Sequence, residues 1–239
     1  MTVSNKSSAL ILGVCLIIAL SSLGSLLGDA AIKFKEYERT VTVKGLSERE
    51  YSADIVIWPI QFSSASNNLE QMYESIDAST EKIKAFLESA GINANEISYS
   101  SPAITDKSAQ RYGNQARAEF RYTASQTVTV YSKNISVVRD VMGKMSSLGK
   151  QGILFTAGNY HSQTEYIFTR LNQIKPDMIE EATRKAREVA EKFAADSKST
   201  LGTIKSASQG QFSINARDKN NPHIKKVRVV STVAYYLSD

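Results

Sequence analysis

The chain has 239 residues, with 29 Lys and Arg against 24 Asp and Glu; its net charge of +5 is a modest basic balance, well short of a nucleic-acid binder. Apolar residues make up 42% and charged residues 22%, the proportions of a folded protein rather than a disordered one. The one cysteine, Cys15, excludes an internal disulfide and leaves the rest of the chain without a thiolate for catalysis or metal ligation.

Residues 9–28 carry no charge, and ~20 residues wound at about 1.5 Å each span the ~30 Å hydrocarbon core of a bilayer. The expected organisation is a short cytoplasmic tail over residues 1–8, a transmembrane signal-anchor over 9–28, a tether over 29–38 and an exported domain over 39–239. Lys6 favours that orientation, whereas Lys33 and Lys35 beyond the other end weaken it. The apolar character runs on through Leu23, Leu26 and Leu27, and the exit Leu27-Gly28-Asp29-Ala30-Ala31 lacks an Ala-x-Ala. Both features favour a retained helix; the alternative is a cleaved signal peptide. Val14 before Cys15 rules out a lipid-modified cysteine. Ser21, Ser22, Gly24, Ser25 and Gly28 form a small-residue face on which two helices could approach, or are merely tolerated near a helix end.

Residues 39–47 alternate, with Val41, Val43 and Gly45 on one side and Thr42 and Lys44 on the other, as in a half-buried strand. Residues 54–63 are apolar at both parities (Ile55, Val56, Ile57, Trp58, Ile60, Phe62), which predicts a strand covered on both faces. Pro59 there marks a bulge or an unpaired side. Asn67-Asn68-Leu69-Glu70 resembles a capping box. It opens a helix that turns Leu69, Met72, Ile76, Ile83, Phe86, Leu87 and Ala90 inward and stops at Gly91.

Residues 96–105 read as a third strand broken at Pro102, residues 107–118 as a linker-like stretch, and residues 119–132 as a long strand. Phe120, Tyr122, Ala124, Gln126, Val128 and Val130 share one face of that strand. Asn134 opens a second helix with Val137, Val141, Met145 and Leu148 as its stripe and Gly149 as its end. Residues 152–171 are extended, with Ile153, Phe155, Tyr166 and Phe168 as buried positions. Pro176 and Asp177 open a third helix, with Asp177 and Glu180 repeating the cap logic. Met178, Ala182, Ala186, Val189, Phe193 and Ala194 face inward; Arg184, Lys185, Arg187, Glu188, Glu191 and Lys192 face solvent; Gly202 ends the helix. Residues 206–214 and 226–237 are the last strands. The order β-β-α-β-β-α-β-α-β-β predicts an α+β fold, a largely antiparallel sheet packed with about three helices.

Reactive constellations are scarce. His161 and His223 are the two histidines; HExxH, GxSxG, P-loop and GxGxxG patterns are absent. Ser162 follows His161 without a base and orienter at readable spacing. Glu180 and Glu181 lie among Arg and Lys and read as ion-paired. No catalytic, cofactor-binding or metal-ligating residue is therefore expected, and no cofactor. The stretch from Arg111 to Tyr122 interleaves cations with aromatics, which in a cytosolic protein would suggest single-stranded nucleic acid. Behind an export segment it reads as an exposed loop and strand start, or next as a subunit contact. Residues 217–228, with Lys219, Lys225 and Lys226, read as a solvated loop, with lipid headgroups the second choice.

Several stretches together resemble the SIMPL-domain family, a bacterial envelope group that includes periplasmic immunogenic proteins of Gram-negative pathogens. They are Arg39-Thr-Val-Thr-Val-Lys-Gly-Leu-Ser-Glu48 with Ala53-Asp54 and Trp58, Leu171-Asn-Gln-Ile-Lys-Pro176, Glu181-Ala-Thr-Arg-Lys-Ala-Arg187 through Phe193-Ala-Ala-Asp-Ser197, and Gln209-Gly-Gln-Phe-Ser-Ile214. The resemblance implies an α+β envelope protein without established catalytic residues. It also implies a link to oxidative-stress tolerance and, from at least one relative, a ring-shaped homo-oligomer. Many relatives carry a cleavable signal, whereas this chain reads as keeping its helix. The expectation is a non-enzymatic, inner-membrane, single-pass protein with a periplasmic domain, partnered by membrane lipid through residues 9–28 and by further copies of itself, with no nucleic acid and no assigned small ligand. The alternative is a binding module for a lipid, peptide or envelope polymer.

Overall fold

The computed structural model describes residues 5–36, 39–109, 119–156 and 163–238. The chain divides into two compact units: Met1–Glu48 with Lys175–Phe212 and Arg228–Asp239, and Arg49–Ile174 with Ser213–Val227. It is α+β, as expected, with an N-terminal apolar helix followed by antiparallel sheets and, among the described residues, four further α-helices.

The first helix, α1, runs Asn5–Glu36. It outlasts the uncharged run and takes up most of the residues expected to be a tether. Strand β1, Thr40–Ser52, buries alternate residues through Val41, Val43, Gly45 and Ser47. β2, Ile55–Ser66, buries Val56, Trp58, Ile60 and Phe62 and leaves its other parity half-buried. Its register with the strand Tyr122–Ser132 is unbroken across Pro59, so no bulge forms there. Gln61 accepts a backbone hydrogen bond from Thr156 on the far side of β2. The two-residue alternation turns the Pro59 nitrogen to that same side, where no described strand lies opposite it.

Helix α2, Leu69–Ser89, is capped by Asn68, whose side chain accepts from Glu70 N and Gln71 N. The cap is thus a lone asparagine one residue later than the expected box, because Glu70 sits too early in the helix to reach back. Gly91 has φ 93° and supplies the left-handed stop. Two short strands, β3 (Ile97–Tyr99) and β4 (Ala103–Asp106), flank Pro102 and both pair with β5, Tyr122–Ser132. Phe120 precedes β5 and is exposed.

The expected second helix is two: α3, Ile135–Gly143, capped by Asn134, and α4, Ser146–Gly149. The break shifts the buried stripe to Val138, Val141 and Leu148. β6 (Leu154–Phe155) and β7 (Glu165–Ile167) pair with β2. The core of this unit packs α2, α3 and α4 on one face of β2 and β5, from Val56 to Phe62 and Ala124 to Val130 against Met72, Ile76, Ile83, Leu87, Val138, Val141 and Leu148. Gln126, buried in this core, is satisfied: Thr80 donates to its Oε1 (2.9 Å), and its Nε2 donates to the Ser100 carbonyl (2.8 Å).

Helix α5 runs Leu171–Asp196, so Pro176 falls inside it rather than opening it, at the cost of one backbone hydrogen bond. Met178, Ala182, Ala186, Ala190 and Ala194 form its buried stripe. Val189 and Phe193, expected inside, are 50% and 55% exposed. A repeat of alanine every four residues makes a narrow, flat seam, and the larger side chains are left beside it. Gly45 shows how close the approach is: a Cβ there would lie 1.8 Å from the Ala182 carbonyl oxygen. The helix ends well before Gly202. Lys198 takes the left-handed position (φ 54°), with Ser199 N donating to Ala194 O and Lys198 N to Ala195 O.

The remaining strands are β8 (Thr200–Gln209), β9 (Ser213–Ala216) and β10 (Ile224–Ser238), in the order β1-β10-β8, with β9 also on β10. Val41, Val43, Val233 and Tyr235 pack with Ala186 and Ala190. Ser47, fully buried beside them, donates to Glu181, which also accepts from Lys185.

Candidate functional site

Two features carry the chemistry that distinguishes this chain, one in each unit. The first is α1. Its segment Leu10–Lys35, 26 residues, is long and apolar enough to cross a membrane, and none of it is buried within the protein. A soluble core helix would hide such a surface. Ser22 donates its hydroxyl to the Ile18 carbonyl and Ser25 to the Ser22 carbonyl, so these polar groups on the helix are satisfied within it. Gly24 and Gly28 face open space, and Cys15 is exposed and free.

The second is a polar cluster built where the β1–β2 turn, the exit of β7 and the β9–β10 loop meet within the second unit. Asp54 Oδ2 accepts from Thr169 N (2.7 Å) and Thr169 Oγ1 (3.1 Å), and Asp54 Oδ1 lies 2.6 Å from Arg170 Nε. Arg170 also donates to the Ser52 carbonyl and lies over the Phe168 ring, which stacks on Tyr51 at 5.4 Å. Burial alone would raise the Asp54 carboxyl, but the Thr169 hydrogen bonds and the Arg170 charge hold it below its ordinary value.

His223 closes the cluster. Its carbonyl accepts from Ala53 N at 2.8 Å, and its Nε2 lies 3.0 Å from Arg139 Nη1. A guanidinium can only donate, so Nε2 accepts and the ring hydrogen sits on Nδ1. That Nδ1 is buried with no hydrogen-bond partner among the described residues. Burial, with the positive charges of Arg139 and Arg217, lowers the histidine, and Asp218 opposes them. Tyr166, with its ring 6.0 Å away, is raised by burial. Arg217 pairs with Asp218 at 2.9 Å and with Glu50 at 3.6 Å. The Arg217 hydrogen bond brings Asp218 down to about 2, and its Oδ1 also accepts from Asn220 N and Asn221 N.

Chemically, this arrangement fastens chain segments. The Asp54 carboxylate is kept ionised and occupied, and the His223 lone pair is taken by a cation, so neither group presents a proton acceptor to a substrate.

Among the sequence candidates, the structure brings His223 into this cluster. His161, Ser162 and residues 111–118 lie outside the described residues. Arg121 is bound to Asp106 by a 2.9 Å ion pair and lies over its neighbour Tyr122. Glu181 is engaged by Lys185, and Arg184–Glu188 and Arg187–Glu191 pair along the solvent face of α5. Among the described residues, no group of three His, Cys, Asp or Glu is placed to hold a metal ion. Asp54, Arg139 and Arg170 were not legible as members of a site, because their partners lie far along the chain and no local pattern links them.

The family model SIMPL, described as a protein of unknown function (DUF541), matches residues 41–233. No curated protein matches the chain. The match begins at the first inward residue of β1 and ends at an inward residue of β10, so it covers the sheets and leaves α1 outside.

Proposed function

Because this chain belongs to the SIMPL family, a periplasmic-type family with no function assigned, we propose that it is a membrane-tethered, non-enzymatic envelope protein. In this reading α1 is a retained anchor in the inner membrane, and the α+β domain stands on the periplasmic side and assembles with further copies. The observation that carries the reading is the apolar surface of Leu10–Lys35, exposed around the whole helix. Anchors confined to one plane raise the effective concentration of the domains they carry, which supports self-assembly without a strong contact. The exposed Val189 and Phe193, one turn apart on α5, are apolar surface of the kind a second copy covers. Strand addition at β8 is disfavoured: its pairing with β10 shifts register twice, and Lys205 lies at the first shift, two devices that blunt an edge. A role in envelope or oxidative-stress tolerance fits such a scaffold.

Protease added to intact spheroplasts tests the placement. Loss of the domain with survival of a short membrane-embedded fragment is expected, and full protection of the chain would overturn it. The mass of the full-length protein in detergent tests assembly, and a single copy at high concentration would count against it.

A further inference from the structure

A groove of about 640 Å³ lies in the first unit, lined by Phe34 at the foot of α1 and by Thr203, Lys205, Tyr236 and Leu237 of β8 and β10. Its depth in the membrane follows from the helix that contributes to it. Asp29 is the first charge after the apolar run, and Phe34 comes five residues later, about 7 Å further along the axis. The polar layer outside the ~30 Å hydrocarbon core is about 5–7 Å thick on each side. Phe34 therefore falls at the outer margin of the lipid headgroup layer, with the exposed Lys33 and Lys35 on either side of it in the last turns of α1.

The lining suits one occupant. Among the described residues that line it, Lys205 is the one ionisable cation, with Nζ 5.6 Å from the centre of the Tyr236 ring, and none is acidic. Thr203 and Ser238 add hydroxyls beside it. Phe34, Tyr236 and Leu237 supply apolar and aromatic surface of the kind that sits at a membrane–water interface.

We propose that this groove binds the phosphate headgroup of an anionic phospholipid, with the lysine on the phosphate and the aromatic rings beside the headgroup. The site deepens the anchor reading and rests on it, since only a retained α1 brings the groove to headgroup depth.

The test uses the full-length chain in nanodiscs of phosphatidylcholine mixed with phosphatidylglycerol, with retained lipid read by native mass spectrometry. Preferential retention of phosphatidylglycerol is expected. Lys205→Glu should lower it by about fivefold for each unit of charge lost, and Thr203→Trp, which fills the groove without changing charge, should abolish it. Lys150→Glu, an equal charge change at an exposed lysine outside the lining, should leave it unaltered. Equal retention of both lipids, indifference to Thr203→Trp, or an equal loss in Lys150→Glu would overturn the groove while leaving the anchor standing. Failure of the chain to enter nanodiscs at all would overturn the anchor, and the site with it.

Discussion

Gly45 is held to glycine by distance rather than by backbone angle. With a Cβ placed 1.8 Å from one α5 backbone atom and 2.5 Å from another, Gly45→Ala must push α5 off β1, and a loss of about 3 kcal/mol in chemical denaturation is expected. Asp54 makes a different prediction. Its carboxyl is lowered by Thr169 and Arg170 against the effect of burial, so its stabilisation is present above the ordinary value of 3.8 and lost as pH falls below it. Asp54→Asn should cost about 1–3 kcal/mol near neutral pH by leaving Arg170 and Thr169 with a weaker acceptor, and it should remove part of the acid sensitivity. His223 acts in a higher window. Its folded value lies below the ordinary 6.5, so the unfolded chain takes up a proton first and stability declines as pH drops below 6.5. Protonation would also set a cation against Arg139 and Arg217. His223→Gln should flatten the dependence of unfolding free energy on pH just below 6.5, and an unchanged slope would contradict the burial of this ring.

At the scale of elements, helix ends and helix faces make separate predictions. Asn68 caps two backbone donors of α2, and Asn68→Ala should cost about 1 kcal/mol. Lys198 occupies a left-handed position that glycine takes without strain, so Lys198→Gly should raise stability by roughly 0.5–1 kcal/mol. Phe193→Ser on the exposed side of α5 should change the folding stability of a single copy by less than about 0.5 kcal/mol, whereas Phe62→Ala in the core should cost about 3–5 kcal/mol. Strand periodicity was the most legible signal in β1, where Val41–Val43–Gly45 declares its buried face because a strand has only two; in β2 the apolar residues at both parities hide which face, Val56–Trp58–Ile60–Phe62, is fully buried. Helices were less legible. In α5 the seam is set by alanines, which carry little hydrophobic signal, and the bulkier Val189 and Phe193 drew the expected face a notch around the helix. Pro176 reads as a start because proline favours first turns, yet Leu171 begins the helix, which tolerates one missing hydrogen bond.

For the whole molecule, the α+β class and the apolar N-terminal helix were legible in the sequence, because both rest on patterns local to a few consecutive residues. The polar cluster was not. Asp54 meets Thr169 and Arg170, and Arg139 meets His223, through contacts that only the folded chain creates, and charged side chains have no periodicity that points to a distant partner. The proposed role requires α1 to remain in the bilayer with the SIMPL domain attached. The most direct test is to determine the N-terminal residue of the protein recovered from the washed membrane fraction. A start at Met1 or Thr2 is predicted; a start near Ala30 or Ala31 would contradict it.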